Sequence, residues 1–250
     1  MNKYRIPNLE KACAVLDLVA NTPRGCLLRT ISAQLAIPRT TALRIVQTLL
    51  AAGYLAQQDG GEFVMGNTMV RLGVKALDNL DIRSYARPIL KALSAETGES
   101  SHLALLNGDK SILVEVADSP HPIRIAARPG TLVELHCSST GKVFLAFGVP
   151  DPQAFCKELV LSPHTKNTRT TNRAVLDGIE ETRKRGFAVD DEEYAPGVRC
   201  IAAPVINSYG KCIAAVGLTA STATFTKACI PAMGRKIKQA AAQISARLGC

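Results

Sequence analysis

The stretch Leu28–Met65, LRTISAQLAIPRTTALRIVQTLLAAGYLAQQDGGEFVM, decides how the rest of the chain is read. It divides into two short helical segments across a tight turn, followed by a β-hairpin. The second helix is expected to open at Pro38, whose fixed φ suits a first helical turn and whose missing N–H costs nothing there. Along it Ala42, Ile45, Val46 and Leu49 recur at i, i+3, i+4 and i+7 and make one apolar face. The opposite face carries Arg39, Thr40, Thr41, Arg44 and Gln47, and no acidic residue occurs between Arg29 and Ala56. Such a helix buries one side and offers donors and short hydroxyls on the other, which suits a polyanion. In a DNA major groove Arg forks onto guanine edges, Gln pairs with adenine, and Thr reaches bases or phosphates. A preceding helix, Thr30 to Leu35, would brace it as in a helix-turn-helix.

The hairpin strengthens this reading. Tyr54 to Gln58 and Glu62 to Met65 can pair across Asp59-Gly60-Gly61, a turn able to take positive φ. A two-stranded ribbon directly after a recognition helix is the winged variant of the motif. It would bring Gln57 to Gly61, Gln58 among them, to the DNA backbone or minor groove. Arg39 and Arg44 alone would suit any solvated surface helix. The helix pair, the acid-free face and the hairpin together point to DNA.

The 250 residues allow one large domain or two ordinary ones, and 47% hydrophobic with 20% charged residues is a globular composition. A net charge of +9 is consistent with a nucleic-acid partner without establishing one. The N-terminus MNKYRIPNLEK lacks an apolar signal core, and no apolar run approaches a membrane span. A cytoplasmic protein with no membrane partner is expected. Eight cysteines show no CxxC and no pairing rhythm, so they are expected to be reduced, mostly buried small hydrophobes.

In chain order, a first helix is expected from Asn8, a good N-cap, to about Ala20. After the wing, Asn67 to Leu80 has helical spacing at Met69, Leu72, Ala76 and Leu80, with Gly73 as a weak point. An isolated amphipathic helix needs something to bury against, so this segment reads as a linker that also dimerises. Ile82 to Thr97 is another helix ending at Gly98. Short strands follow: Ser101 to Leu106 and Ser111 to Ala117 flank the hairpin turn Asn107-Gly108-Asp109-Lys110, and Ile123 to Ala127 is a third candidate. Helices are expected at Ser139 to Phe147, Pro152 to Leu159, Asn172 to Gly186 and Thr224 to Leu248. Strands are expected at Phe187 to Asp190, Ile201 to Ile206 and Lys211 to Thr219. Hairpin strands alternating with helices suggest an α+β domain on an antiparallel sheet.

Three catalytic or metal motifs find little support. Ser139-Thr140-Gly141-Lys142 fits S-x-x-K of penicillin-recognising hydrolases, but neither S-D-N nor K-T-G accompanies it. Gly141-Lys142 fails as a P-loop, because His136 stands at the upstream Gly position and Val143 at the Ser/Thr position. His136-Cys137, with Cys200, could offer soft ligands, but four histidines without ligand spacing leave no metal site expected. No cofactor is expected either. Two polar stretches remain, Leu135 to Lys142 and Asp190 to Val198. The first sits at a helix start, where free N–H groups favour an anion. Read from the residues alone, a helix cap and a solvated acidic loop explain the two stretches equally well.

Taken together, IPRTTALRIVQTLLAAGYL, FVMGNTMVRLG, ETGESSHLALL, ELHCSSTGKVFLAF, RGFAVDDEEYAPGVRCIAAPV and CIAAVGLTAS resemble the IclR family of bacterial transcription regulators over nearly the whole chain. The resemblance implies a winged helix-turn-helix (residues 1–66), a linker helix (67–81) and a GAF-like effector domain with an antiparallel sheet (82–250). It also implies homodimers, often paired as dimers of dimers, on palindromic double-stranded operators near genes of small-molecule catabolism. The family's effector pocket maps here to Ser139 and Thr140, Asp190, Cys200, Gly217 and Thr219, with Leu132 and Leu135 as apolar wall. Backbone N–H groups at the helix start would hold a carboxylate, and Asp190, Cys200 and Thr219 would orient a hydroxyl or keto group.

Three residues depart from the family pattern. Gly217 stands where relatives can carry a hydroxyl, Ser139-Thr140 is bulkier than the usual small pair, and Ala36 replaces a common Gly in the helix-turn-helix turn. Ala at positive φ is strained, so that turn is expected to differ locally. The function expected is a repressor that senses a small organic acid, without enzymatic activity. The alternatives are a Ser139/Lys142 acyl hydrolase fused to a DNA-binding head, and a constitutive DNA-binding dimer with no effector.

Overall fold

In the computed structural model, which describes residues 6–78, 81–122 and 124–248, the chain divides into two units, residues 1–79 and 80–250. The first holds α1 (Pro7–Ala20), α2 (Leu28–Gln34), α3 (Arg39–Ala51), β1 (Leu55–Gln57), β2 (Phe63–Met65) and α4 (Asn67–Asp78). Val15, Val19, Ile31, Ala42, Val46 and Phe63 are among the side chains that close its core, so the i, i+3, i+4, i+7 face of α3 is the buried one. The hairpin pairs Leu55 with Met65 and Gln57 with Phe63, and Cys26 bridges to Phe63 on the other edge.

Several boundaries differ from the sequence expectation. Helix α1 starts at Pro7 with Ile6 as N-cap, because Pro7 is well suited to the first helical position and leaves Asn8 inside the helix. Pro38 is the N-cap of α3 and not its first residue: its ψ of 136° is extended, and its carbonyl accepts the first helical bond from Ala42 N at 2.9 Å. Helix α2 opens two residues earlier than expected, at Leu28. Ala36 takes the left-handed conformation at φ 51°, so the turn keeps the shape Gly would give it and holds the strain. In α4, Val70, Leu72 and Val74 are exposed within this unit, while the side chains of Ala76 and Leu80 lie outside the described residues.

The second unit contains α5 (Asp81–Thr97), β3 (Ser100–Asn107), β4 (Lys110–Ala117), β5 (Leu132–Glu134), α6 (Ser139–Val143), α7 (Pro152–Glu158), α8 (Asn172–Arg185), β6 (Ala188–Asp191), β7 (Val198–Ile206), β8 (Cys212–Ser221) and α9 (Ile230–Arg247). Its six strands form one antiparallel sheet in the order β5-β4-β3-β8-β7-β6. Side chains alternate across it. Leu103, Ile201, Val216 and Leu218 pack on one face with Leu90 of α5 and Ile237 and Ile244 of α9. Ala188, Ala202 and Ala215 pack on the other with Val143 of α6, Phe144 after it, and Val175 and Ile179 of α8. Burial on both faces explains why β7 and β8 read as almost continuous apolar runs.

The expected third strand is a correction. Residues 124–127 are not in a strand, and Ile123 lies outside the described residues. The strand is β5, further on, because the turn at Pro129-Gly130 docks on β4 through Gly130 N to Leu113 O (2.7 Å) and Leu113 N to Thr131 O (2.9 Å). The last helix begins at Ile230 and not near Thr224. A short 3₁₀ turn precedes it, and Pro231 suits its first turn.

Candidate nucleic-acid interface and ligand cavity

Thr40, Arg44 and Gln47 stand at i, i+4 and i+7 on α3, opposite the buried face, and all three are exposed. Arg39 is exposed at the first helical residue, and Gln58 is exposed in the hairpin, where its N–H bonds Glu62 O at 2.9 Å. Thr41 differs. It is half-buried on the flank of α3, in a crevice shared with Asn8 and Lys11 of α1. The outward stripe is therefore Thr40, Arg44 and Gln47, with Arg39 at its N-terminal end.

In the second unit a cavity of about 190 Å³ opens on the α6 face of the sheet. Asp190, Cys200 and Thr219 line it because strand register sets them side by side: Asp190 pairs with Cys200, and Cys200 with Thr219. Ser139 and Thr140 come in from the start of α6. Ser138 caps that helix, accepting from Gly141 N at 3.1 Å and donating to Glu134 O at 2.6 Å. Ser139 and Thr140 are its first two residues, so their N–H groups lie outside the helical ladder. Thr140 Oγ1 meets Ser111 Oγ at 2.9 Å. Leu113, Ile125, Val133 and Val198 supply apolar wall.

The acidic segment after β6 turns inward. Asp190 Oδ1 accepts from Glu193 N (2.8 Å) and Tyr194 N (3.2 Å), while Oδ2 is buried without a partner. Burial pushes the Asp190 carboxyl up to about 7, against the pull of Lys142 and of the two backbone donors. The buried Lys142 ammonium donates to Val189 O at 2.9 Å and to the Glu193 carboxylate. It serves as a strut between α6 and the acidic turn, and its Nζ is engaged there and not with Ser139. The S-x-x-K look-alike is explained by this ion pair.

His102 was not anticipated. It pairs across β3–β8 with Gly217, and a Cβ added to Gly217 would lie 2.2 Å from its Nε2. The imidazole thus covers the space a side chain at that position would take. Burial lowers its pKa to about 4, so it is neutral at pH 7, and its Nδ1 is buried without a partner.

Three residues assigned to the pocket do not line it. Gly217 lies beneath His102. Leu132 is displaced by strand phase, since on β5 it is Val133 that faces the cavity and Leu132 is 40% exposed; Leu135 lies in the turn after β5 and is packed in the core beneath Gly141. The lining residues the sequence missed include His102, Leu113, Thr131, Val133, Tyr194 and the segment 125–127. A histidine at the head of the apolar run in SSHLALL was the one local signal. Cys200 faces the cavity with Sγ 3.5 Å from Thr219 Oγ1, and burial pushes its thiol up; His136 and Cys137 do not line the cavity.

Residues 74–246 match the family model of the bacterial transcriptional regulator IclR C-terminal domain, and residues 8–59 match that of the IclR helix-turn-helix domain. The chain belongs to the IclR family. Its IclR relatives include the HTH-type transcriptional regulator BhcR of Paracoccus denitrificans, 33% identical over 95% of this chain and 85% of that protein. The DNA-binding transcriptional repressor YiaJ of Escherichia coli is 30% identical over 97% of this chain and 88% of its own. The fold matches that of an IclR homolog from Microbacterium hydrocarbonoxydans complexed with 4-hydroxybenzoate, with TM-score 0.82 over 97% of this chain and 99% of that one, at 21% identity. This chain is an IclR-type, DNA-binding transcriptional regulator, α+β in fold, with its helix-turn-helix at the N-terminus and its effector-type domain at the C-terminus. Among the described residues no helix is long and apolar enough to cross a membrane.

Proposed function

We propose that this regulator is a cytoplasmic repressor whose operator affinity is switched by a small organic acid held in the 190 Å³ cavity. The observation that carries the reading is a pair of orphaned atoms. Asp190 and His102 both line the cavity, and each keeps one buried polar atom without a protein partner. Buried polar groups are nearly always hydrogen-bonded, so the site calls for a bound group. A ligand hydroxyl satisfies both atoms, donating to one and accepting from the other or from Thr219, while the N–H groups of Ser139 and Thr140 receive a carboxylate. Leu113, Val133 and Val198 accept the apolar body between the two ends. The ligand in the Microbacterium structure has a carboxylate and a hydroxyl at opposite ends, which suits this division.

Thr40, Arg44 and Gln47 read the major groove, Arg39 and Thr41 flank the contact, and Gln58 in the wing meets the backbone. The exposed Val70, Leu72 and Val74 support α4 as a dimer contact, which makes the operator palindromic, and dimers pair further through the second unit. An in vitro selection from random duplex DNA tests the reading. It is expected to enrich a palindrome whose affinity changes about 5- to 150-fold when a cavity-binding acid is added. A selection that enriches no sequence would overturn it.

A further inference from the structure

We infer that His136, Cys137 and His164 form a binding site for a transition-metal cation of the Zn²⁺ class, beside the ligand cavity and distinct from it. One ligand atom from each of the three lies within 4.8 Å of the other two. Nothing in the spacing announces the set, because His164 sits on the segment after α7, far along the chain from the other two. Tetrahedral Zn²⁺, with Zn–N near 2.0–2.1 Å and Zn–S near 2.3 Å, sets its ligand atoms roughly 3.3–3.8 Å apart. The existing set needs about 1 Å of closure. His164, at an exposed position on a loop, can supply that movement while the two buried ligands stay in place.

The surroundings fit a metal in two further respects. His136 Nε2 lies 3.0 Å from Ser162 O. With the proton donated there, Nδ1 keeps the lone pair a cation needs, which is the arrangement that orients metal-bound histidines. Glu134 Oε2 lies 3.7 Å from His164 Nε2, so its negative charge adds to a site that favours a cation, and water completes the coordination. Binding replaces the Cys137 S–H bond by an S–metal bond and releases that proton to solvent. Two imidazoles and a thiolate are the donor set of a borderline cation, not of Ca²⁺ or Mg²⁺.

The site also joins two segments that build the cavity wall. Thr165 Oγ1 donates to Glu192 O and Thr168 Oγ1 to Glu193 O, each at 2.6 Å, and the His164 ring is 5.2 Å from that of Tyr194, a cavity-lining residue. A cation at His164 therefore ties this loop, and the acidic turn it supports, to the entry of α6.

The test uses the full-length protein stripped with a chelator, then titrated with Zn²⁺ against a chromogenic competitor and separately with Co²⁺. One equivalent is expected to bind at micromolar affinity or tighter, with a thiolate-to-cobalt charge-transfer band. The His164→Ala change, at an exposed position, should weaken binding at least tenfold. Cys137→Ser should abolish the cobalt–thiolate band, whereas Cys13→Ser should leave it intact. Absence of a stoichiometric site, or binding and band unchanged in His164→Ala, would overturn the inference. If Cys137→Ser does not fold, the His164→Ala comparison decides alone.

Discussion

His102 lies over Gly217 so closely that a single added carbon on the glycine would sit 2.2 Å from the imidazole Nε2. The two residues face each other across β3 and β8, in the row next to Thr219, Cys200 and Asp190. The space left open at Gly217 is thus filled from the neighbouring strand, by a neutral imidazole. Gly217→Ser should force the ring aside and cost about 1–3 kcal/mol by overpacking. Combining it with His102→Ala should recover part of that loss. In chemical denaturation the double variant is expected to be more stable than the sum of the single effects by at least ~0.5 kcal/mol. Strict additivity would show that the two side chains do not compete for one space.

Asp190 gives a pH prediction with a definite sign. In the unfolded chain its carboxyl titrates near 3.8, and in the fold near 7, because burial penalises the charge. Between those values the unfolded chain releases a proton that the fold retains, so stability falls as the pH rises from about 4 to about 7 and stays low above. Asp190→Asn keeps an oxygen to accept from Glu193 N and Tyr194 N but does not titrate. Its melting temperature, measured without ligand, should exceed that of the wild type at pH 8, by a margin that shrinks towards pH 4. His102 acts in the opposite sense, losing stability as the pH falls through 6.5 towards 4, but it is present in both proteins and cancels in the difference. A margin independent of pH would contradict the assignment.

Arg44 is the side chain on the outward stripe of α3 able to grip a guanine edge with two donors. Arg44→Ala should weaken binding to a selected operator by ~1–3 kcal/mol and relax the preference at one base pair per half-site. A Thr41→Ala change should matter less, since Thr41 is half-buried against α1. Anisotropy titrations at fixed salt separate the two. Equal losses would mean that the helix docks on its flank.

Ala36 holds a left-handed turn at φ 51° without the freedom of glycine. Ala36→Gly removes roughly 1–2 kcal/mol of steric cost and adds roughly 0.5–1 kcal/mol of unfolded-state entropy. A net gain of about 0.5–1 kcal/mol is expected in the stability of the first unit. A loss on denaturation would show that the turn relaxes in solution.

The parts of this structure legible in the sequence are those set by local periodicity. The apolar stripe of α3, the wing, the β3–β4 and β7–β8 hairpins and the helices of the second unit all announce themselves within a few residues. Asp190, Cys200 and Thr219 were reachable through family resemblance, and the sheet register supplies the physical reason they meet. What failed were matters of phase and of long-range approach. On β5 a shift of one residue exchanges Leu132 for Val133 at the cavity, and a strand of three residues has too little alternation to fix its phase. His102 reaches the site only because β3 pairs with β8. The acidic turn reads as solvated until Lys142, distant in sequence, is seen to bind Glu193.

On this reading the cavity bounded by Asp190, His102, Ser139 and Thr219 takes a small organic acid. A thermal-shift screen of the full-length protein against several hundred carboxylic acids, 4-hydroxybenzoate included, tests it most directly. It should be run in parallel on Ala195→Phe, a change at a half-buried loop residue of the cavity wall that fills the space. At least one acid should stabilise the wild type by about 2.7 kcal/mol at a hundredfold its dissociation constant, and the filled variant far less. A blank screen on the folded protein, or an acid that stabilises both proteins equally, would contradict it.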